Sequence, residues 1–265
     1  MRCMAAAQNV ARDHGSCLGS AAPLGEGRPR RLITRRSLIG GLAAWPAAAA
    51  LGAGAWAGAA IAPADLLTFF DTLALQRSVG RGESRPGIVR KWTEAVAVRV
   101  RGVAAAPYQD SIRAMLAEVS ALAGLDFALA TPDGATANLI TLYYLSRREI
   151  GRLYPRARAV CFTQARGQGG HIHTGEVRIG ADFEDCLHHE FMHALGFDNH
   201  WEGRRFGLFA PSALADRFGH ERTREFSDWD RLAIRLLYDL RLEAGLARAP
   251  ALEVARRLVP ELLTA

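Results

Sequence analysis

The chain has 265 residues, 49% of them apolar and 23% charged, with four cysteines and a formal net charge of +6. That length and apolar fraction supply a core for one domain or two small ones and exclude a mainly disordered chain, while four cysteines exclude a disulfide-dense mini-scaffold. Seven Arg against Asp13 and Glu26 put +5 of the charge before residue 58, so about +1 remains on residues 58–265 and nucleic-acid binding has no support.

The N-terminal segment reads as an address. Residues 1–33 are polar and basic, and Arg35-Arg36 stands before an uncharged Ala/Gly-rich stretch, 40–62. This is the pattern of a twin-arginine export signal, and it implies the twin-arginine translocase as a partner during export. Ala55-Trp56-Ala57 and Ala57-Gly58-Ala59 both offer small residues at cleavage spacing. The alternative is an uncleaved anchor, because 37–62 is long enough to span a bilayer. Both readings place the chain beyond residue 62 outside the cytoplasm, periplasmic or extracellular.

After the leader, Pro63 opens a helix predicted over 63–78. A Gly/Arg/Pro loop at 80–87 precedes an alternating, β-branched strand at 95–103. An amphipathic helix is predicted at 107–123, with Ile112, Met115, Leu116, Val119 and Leu122 on one stripe. Strands come next at 126–130 and 137–144, then a short helix at 147–153. Two more strands, 157–163 and 172–179, are separated by the Gly-rich turn 167–170. The segment 181–197 is helix-compatible, and 246–263 is a final amphipathic helix expected to pack on the domain. The order predicts an α+β fold with a mixed, twisted sheet.

Residues 189–193 read His189-Glu190-Phe191-Met192-His193. Chance supplies His-Glu-x-x-His in such a chain about once in a hundred. On a helix the two His share one face a turn apart, which suits two imidazoles converging on one zinc ion. Glu190 then stands beside the metal without binding it, placed to take a proton from zinc-activated water as general base. A third ligand is needed. The helix is expected to stop at Gly196, and the chain returns as Phe197-Asp198-Asn199-His200, so His200 is the first candidate, then Asp198, His220 and Glu225. His188 lies about 100° around the helix and is read as packing or solvent-facing. His171 and His173 share a strand face, as surface residues or as ligands of a second ion.

Cys161 and Cys186 are the two cysteines beyond the leader, an even pair in an oxidising compartment, and a disulfide between them is expected. The rival role for Cys186 is a metal ligand at i−3 from His189.

His189, Glu190, His193 and Gly196 resemble the metzincin branch of zinc peptidases in register, and Met192 to Phe197 is similar to astacin-type sequences. Asn199 stands where those enzymes carry the third His, and His200 comes one later. The segment Phe226 to Tyr238 is similar to the helix that comes after their site. No Met follows Met192, so their tight Met-containing turn is absent, and Gly207 to Ser212 stands in its place with Phe209 as a candidate apolar floor. The resemblance implies a zincin-like, metzincin-type fold and makes 172–179 the edge strand that pairs with substrate backbone.

A second resemblance, over about 88–245, is to a bacterial family catalogued as domain of unknown function 2927. It rests on Arg90-Lys91-Trp92, Ala137-Asn138-Leu139, Cys161, Cys186, Leu195-Gly196 and Asp230 with Leu236-Leu237-Tyr238-Asp239.

The expected organisation is a leader at 1–57, an N-terminal helix and linker at 58–87, a zincin-like catalytic domain at 88–245 and a C-terminal helix at 246–265. The expected function is an exported, monomeric zinc metallopeptidase acting on peptide or protein. Tyr238, Arg204 and His220 are the candidate oxyanion donors. The alternatives are a non-catalytic zincin-like binding module of the cell envelope and a zinc amidase acting on a non-protein amide.

Overall fold

A computed structural model describes residues 61–76, 79–80, 83–84, 87–102, 108–131, 137–153, 161–180, 186–203, 207–215 and 223–264. The leader, its twin Arg and its cleavage positions lie outside them, as do Arg204 and His220. Among the described residues no helix is long and apolar enough to cross a membrane.

The chain opens with α1 (Pro63–Phe70), started by Pro at its first turn, where the missing N–H costs nothing. One π-helical stretch, Asp71–Leu75, continues it. The helix predicted to reach residue 78 thus ends earlier, at Gln76, which is already extended. A short hairpin, β1 (Val79–Gly80) with β2 (Glu83–Ser84), comes after it. Next come β3 (Val96–Arg101), α2 (Gln109–Ala123), β4 (Phe127–Leu129), β5 (Leu139–Leu145), α3 (Arg147–Leu153), β6 (Cys161–Gln168), β7 (His171–Gly180), α4 (Leu187–Leu195), α5 (Asp228–Tyr238) and α6 (Arg248–Thr264).

Five strands form one mixed sheet in the order β4-β3-β5-β7-β6. β3, β4, β5 and β7 run parallel, and β6 alone is antiparallel, against β7. This corrects the edge assignment, because the strand predicted at 172–179 is internal, between β5 and β6. The reason is the turn. Gly169 and Gly170 take positive φ (58° and 89°), which lets β6 fold straight back onto β7 and become the edge itself. A Cβ on Gly170 would also lie 2.0 Å from the Gly245 nitrogen, so the hairpin tip and the 245–247 segment need a glycine there to meet. β6 therefore runs on to Gln168, past the predicted end at 163.

The α2 stripe packs as the periodicity requires. Ile112, Met115, Leu116 and Val119 are buried, while Leu122 is half-buried and Ala123 takes the last core position. α6 buries Ala251, Ala255, Leu258 and Val259 in the same core as α1, and Arg248 clamps Asp71 of the π-helical stretch with two bonds of 2.7 Å. The N-terminal and C-terminal helices thus share one hydrophobic cluster with the sheet.

A disulfide joins Cys161, the first residue of β6, to Cys186, the residue before α4, across a sequence separation of 25. It ties the edge strand to the helix that carries the His-Glu-x-x-His motif. Closing a loop of that length removes about 3 kcal/mol of unfolded-state entropy. Cys161→Ser with Cys186→Ser should therefore lower stability by about 2–4 kcal/mol, seen as an earlier midpoint in urea unfolding.

Candidate metal centre

α4 is fixed in rotation before any ligand is considered. Leu187, Phe191, Met192, Ala194 and Leu195 are buried on its core faces. Three side chains from other elements donate to its carbonyls: Thr163 Oγ1 to Glu190 (2.8 Å), Trp92 Nε1 to Ala194 (2.9 Å) and Tyr238 Oη to Leu195 (3.0 Å). With the helix so held, His189 and His193 keep one face and their rings lie 5.0 Å apart between centroids.

The helix ends at Gly196, whose φ of 118° is a left-handed cap. A Cβ there would meet the Arg90 carbonyl oxygen at 2.0 Å, so both conformation and space demand glycine. The chain then reverses through a series of anchors. The Phe197 carbonyl returns to His193 Nδ1 at 2.6 Å. Both Asp198 oxygens accept from Arg90 Nη1, at 2.7 and 2.8 Å. Asn199 bonds the main chain of Leu73 and Gln76. Trp201, 1% exposed, packs edge-on against Phe69 of α1 and donates its main-chain N–H to Leu214. Held on both sides, His200 comes back over the helix.

The Nε2 atom of His200 lies 3.2 Å from that of His189 and 3.4 Å from that of His193. Zinc–nitrogen bonds of 2.0–2.1 Å in a tetrahedron set nitrogen pairs about 3.3–3.4 Å apart. The three side chains also form the one group of potential metal ligands of this kind among the described residues.

The hydrogen bonds define the tautomers of the two helical histidines. His189 Nδ1 lies 2.7 Å from the Ala213 carbonyl, and His193 Nδ1 lies similarly against Phe197. A carbonyl only accepts, so both Nδ1 carry the proton and both Nε2 present lone pairs to the centre. Burial pushes His193 down to about 4, with the neighbouring His200 adding to the effect, which keeps it in the neutral form a ligand requires.

Other sequence candidates fall elsewhere. Asp198 is outside the triad because the Arg90 guanidinium takes both its oxygens. Glu225 is exposed, and His188 packs edge-on against Phe226 at 4.7 Å. Cys186 is spent in the disulfide. His171 sits 3.2 Å from Thr93 Oγ1, and its ring stacks 6.5 Å from His173, with no third ligand joining them among the described residues. Tyr238 is a correction to the oxyanion candidates: its hydroxyl donates to Leu195 inside the core, and burial pushes the phenol far up. Phe209 is a second correction. It is 56% exposed and forms no floor; Ala213, whose carbonyl lies against His189, and Leu214 beside it are fully buried instead. Sequence reasoning gave no site role to Arg90, Trp201, Ser212, Ala213 or Asp230, although Arg90 and Asp230 stand among the residues that carry the family resemblance. Asp230 also carried a local signal, as the acid three residues after Ser227 at the start of a helix.

The family described as "Protein of unknown function (DUF2927)" matches residues 63–257. The chain belongs to this family. The match extends past both ends of the region of sequence resemblance and takes in α1 and much of α6. No curated protein matches the sequence. Among solved structures, high choriolytic enzyme 1, a hatching-enzyme zinc protease of the medaka fish Oryzias latipes, aligns at 15% identity with a TM-score of 0.29, covering 56% of this chain and 94% of that one. The structural likeness is weak.

The neutral, half-buried His193 has a consequence for acid stability. Its folded-state pKa lies below the ordinary 6.5, so on acidification the unfolded chain takes up the proton first. Stability from this group is complete above about pH 6.5 and is lost as the pH falls toward 4. The metal-free protein should therefore show a thermal midpoint that drops more steeply between pH 6.5 and 4 than that of His193→Asn, measured by circular dichroism.

Proposed function

We propose that the protein is an exported zinc-dependent metallopeptidase of zincin-like fold. The observation that carries this reading is the convergence of three imidazole Nε2 atoms, with that of His200 3.2 and 3.4 Å from the other two, over a helix that also holds the buried Glu190. His189, His193 and His200 would hold the zinc. Bound there, zinc supplies Lewis acidity, acidifying a water molecule and polarising a scissile carbonyl.

Glu190 is next to the first ligand and 6% exposed. In this reading it takes the proton of the attacking water and passes it to the leaving amine. His200 is exposed, so the open side of the centre is the side from which it arrives. The edge strand nearest α4 is β6, tied to the helix by the disulfide and by Thr163. An extended peptide can be read by such an edge through main-chain hydrogen bonds, which favours peptide or protein as substrate. Export is supported by Arg35-Arg36 with the uncharged stretch after it, and by a disulfide of the kind that persists in oxidising compartments.

Glu190→Ala should retain bound zinc while peptide cleavage falls by about 10²–10⁴-fold, read from metal analysis and a mixed peptide library with and without chelator. Full activity in that variant would overturn the mechanism. Wild-type protein that holds zinc and cleaves nothing would identify an inert binding module. His200→Ala should weaken zinc binding by an order of magnitude or more, measured by chelator competition, since two helical His alone leave the tetrahedron half-built. Unchanged affinity would hand the third position to another group.

A further inference from the structure

The carbonyl that orients His189 belongs to Ala213, 24 residues along the chain and outside any helix or strand. What fixes that carbonyl is a single carboxylate. Asp230 is fully buried, and its two oxygens have four donors within reach, the fourth being Ser227 Oγ at 2.9 Å from Oδ2. Oδ1 accepts from Ser212 Oγ at 2.6 Å; Oδ2 accepts from the Ala213 N–H and the Ser227 N–H, each at 2.9 Å. Ser212 Oγ in turn accepts from the Leu214 N–H at 3.0 Å, so the turn 212–214 is wound around the same acid.

Asp230 also belongs to α5, where it sits at the third position of a capping box. Ser227 is the N-cap, and its Oγ accepts from the Asp230 N–H at 3.2 Å. The Ser227 hydroxyl is shared between the Pro211 carbonyl at 2.5 Å and Asp230 Oδ2 at 2.9 Å. A capping box ordinarily satisfies only the helix end. Here the same pair of side chains also grips the segment 211–213 that lies against the first metal ligand.

We infer that Asp230 is a positioning residue for the metal centre, acting through the Ala213 main chain to fix the ring of His189. This rests on the zinc reading of the triad. The relay runs from the carboxylate to the Ala213 N–H, from the Ala213 carbonyl to the His189 Nδ1–H, and from His189 Nε2 toward the metal. Partners beyond the ligands set ring orientation, and losing one costs about 10–100-fold in metal affinity. The arrangement takes the place of an apolar Met-containing turn with a buried, fully engaged acid.

The test is zinc affinity of the full chain and of Asp230→Asn, by competition with a chromogenic chelator, together with urea unfolding of both metal-free proteins. The asparagine keeps the volume but sets an amide donor against at least one of these four donors. Zinc binding should weaken about 10–100-fold in protein that still unfolds cooperatively, and the His189 Nδ1–H resonance should exchange faster with solvent. A lower unfolding midpoint with zinc affinity within about twofold of the parent, well short of the 10-fold lower bound, would show a merely structural role and overturn the inference. Should Asp230→Asn fail to fold, Ser212→Ala removes the Oδ1 partner together with the acceptor of the Leu214 N–H, and leaves the Ala213 N–H on Oδ2. It should weaken zinc binding by about 3–10-fold, a fraction of the full relay's effect, and unchanged affinity there overturns the inference as well. A parent chain that binds no zinc would sink the metal reading itself; a parent that binds zinc beside an equally tight Asp230→Asn sinks only the relay.

Discussion

Neutral imidazoles with their lone pairs turned inward are the constraint on which this structure depends. A histidine that is to bind a metal must give up its proton at one nitrogen and spend the other on an acceptor. His189 and His193 do this with main-chain carbonyls, Ala213 and Phe197, and neither carbonyl lies within the helix that carries them. Helical spacing alone brings two rings to one face. The tautomers, and with them the direction of each lone pair, are set by two loops.

Those loops reach far across the chain. The reversal at Gly196 works because the Arg90 carbonyl lies where any side chain would be, and because Arg90 also receives Asp198 with its guanidinium. Asn199 then reaches back to Leu73 and Gln76, and Trp201 buries itself against Phe69. His200 is therefore positioned by α1 and the π-helical stretch after it, more than a hundred residues earlier, as the 123-residue span from Asn199 to Gln76 shows. The family match beginning at residue 63, the first residue of α1, accords with that dependence.

The legible parts of the sequence are those whose signal is local. The His-Glu-x-x-His motif, Gly196 as stop and the α2 stripe all depend on spacing within a helix or at its end. His200 ranks above Asp198 once the chain is followed past the cap. The unread parts depend on tertiary partners. Nothing in the spacing of 172–179 shows that the preceding strand folds outside it, because edge and interior differ by hydrogen-bonding neighbours rather than by pattern. Phe209 suggests a floor because it is large and apolar, yet small Ala213 beside Leu214 fills the place, since a close main-chain approach to His189 leaves no room for a ring. Tyr238 suggests a donor for chemistry and is instead a clamp on the Leu195 carbonyl.

Electrostatics draws these pieces together. The buried carboxylates among the described residues are Glu190 and Asp230, and both belong to the surroundings of the triad. Burying a carboxylate is costly unless donors or a counter-charge compensate it. Asp230 is compensated in part by its hydrogen bonds, yet burial still raises its pKa. Asp198 is already matched by Arg90. A divalent cation held by the three imidazoles would bring positive charge to the helix that carries the buried Glu190 and to the turn that Asp230 holds. Such a cation would offset part of the cost of burying Glu190 beside His189, while Asp230 would be linked to it only through the Ala213 main chain.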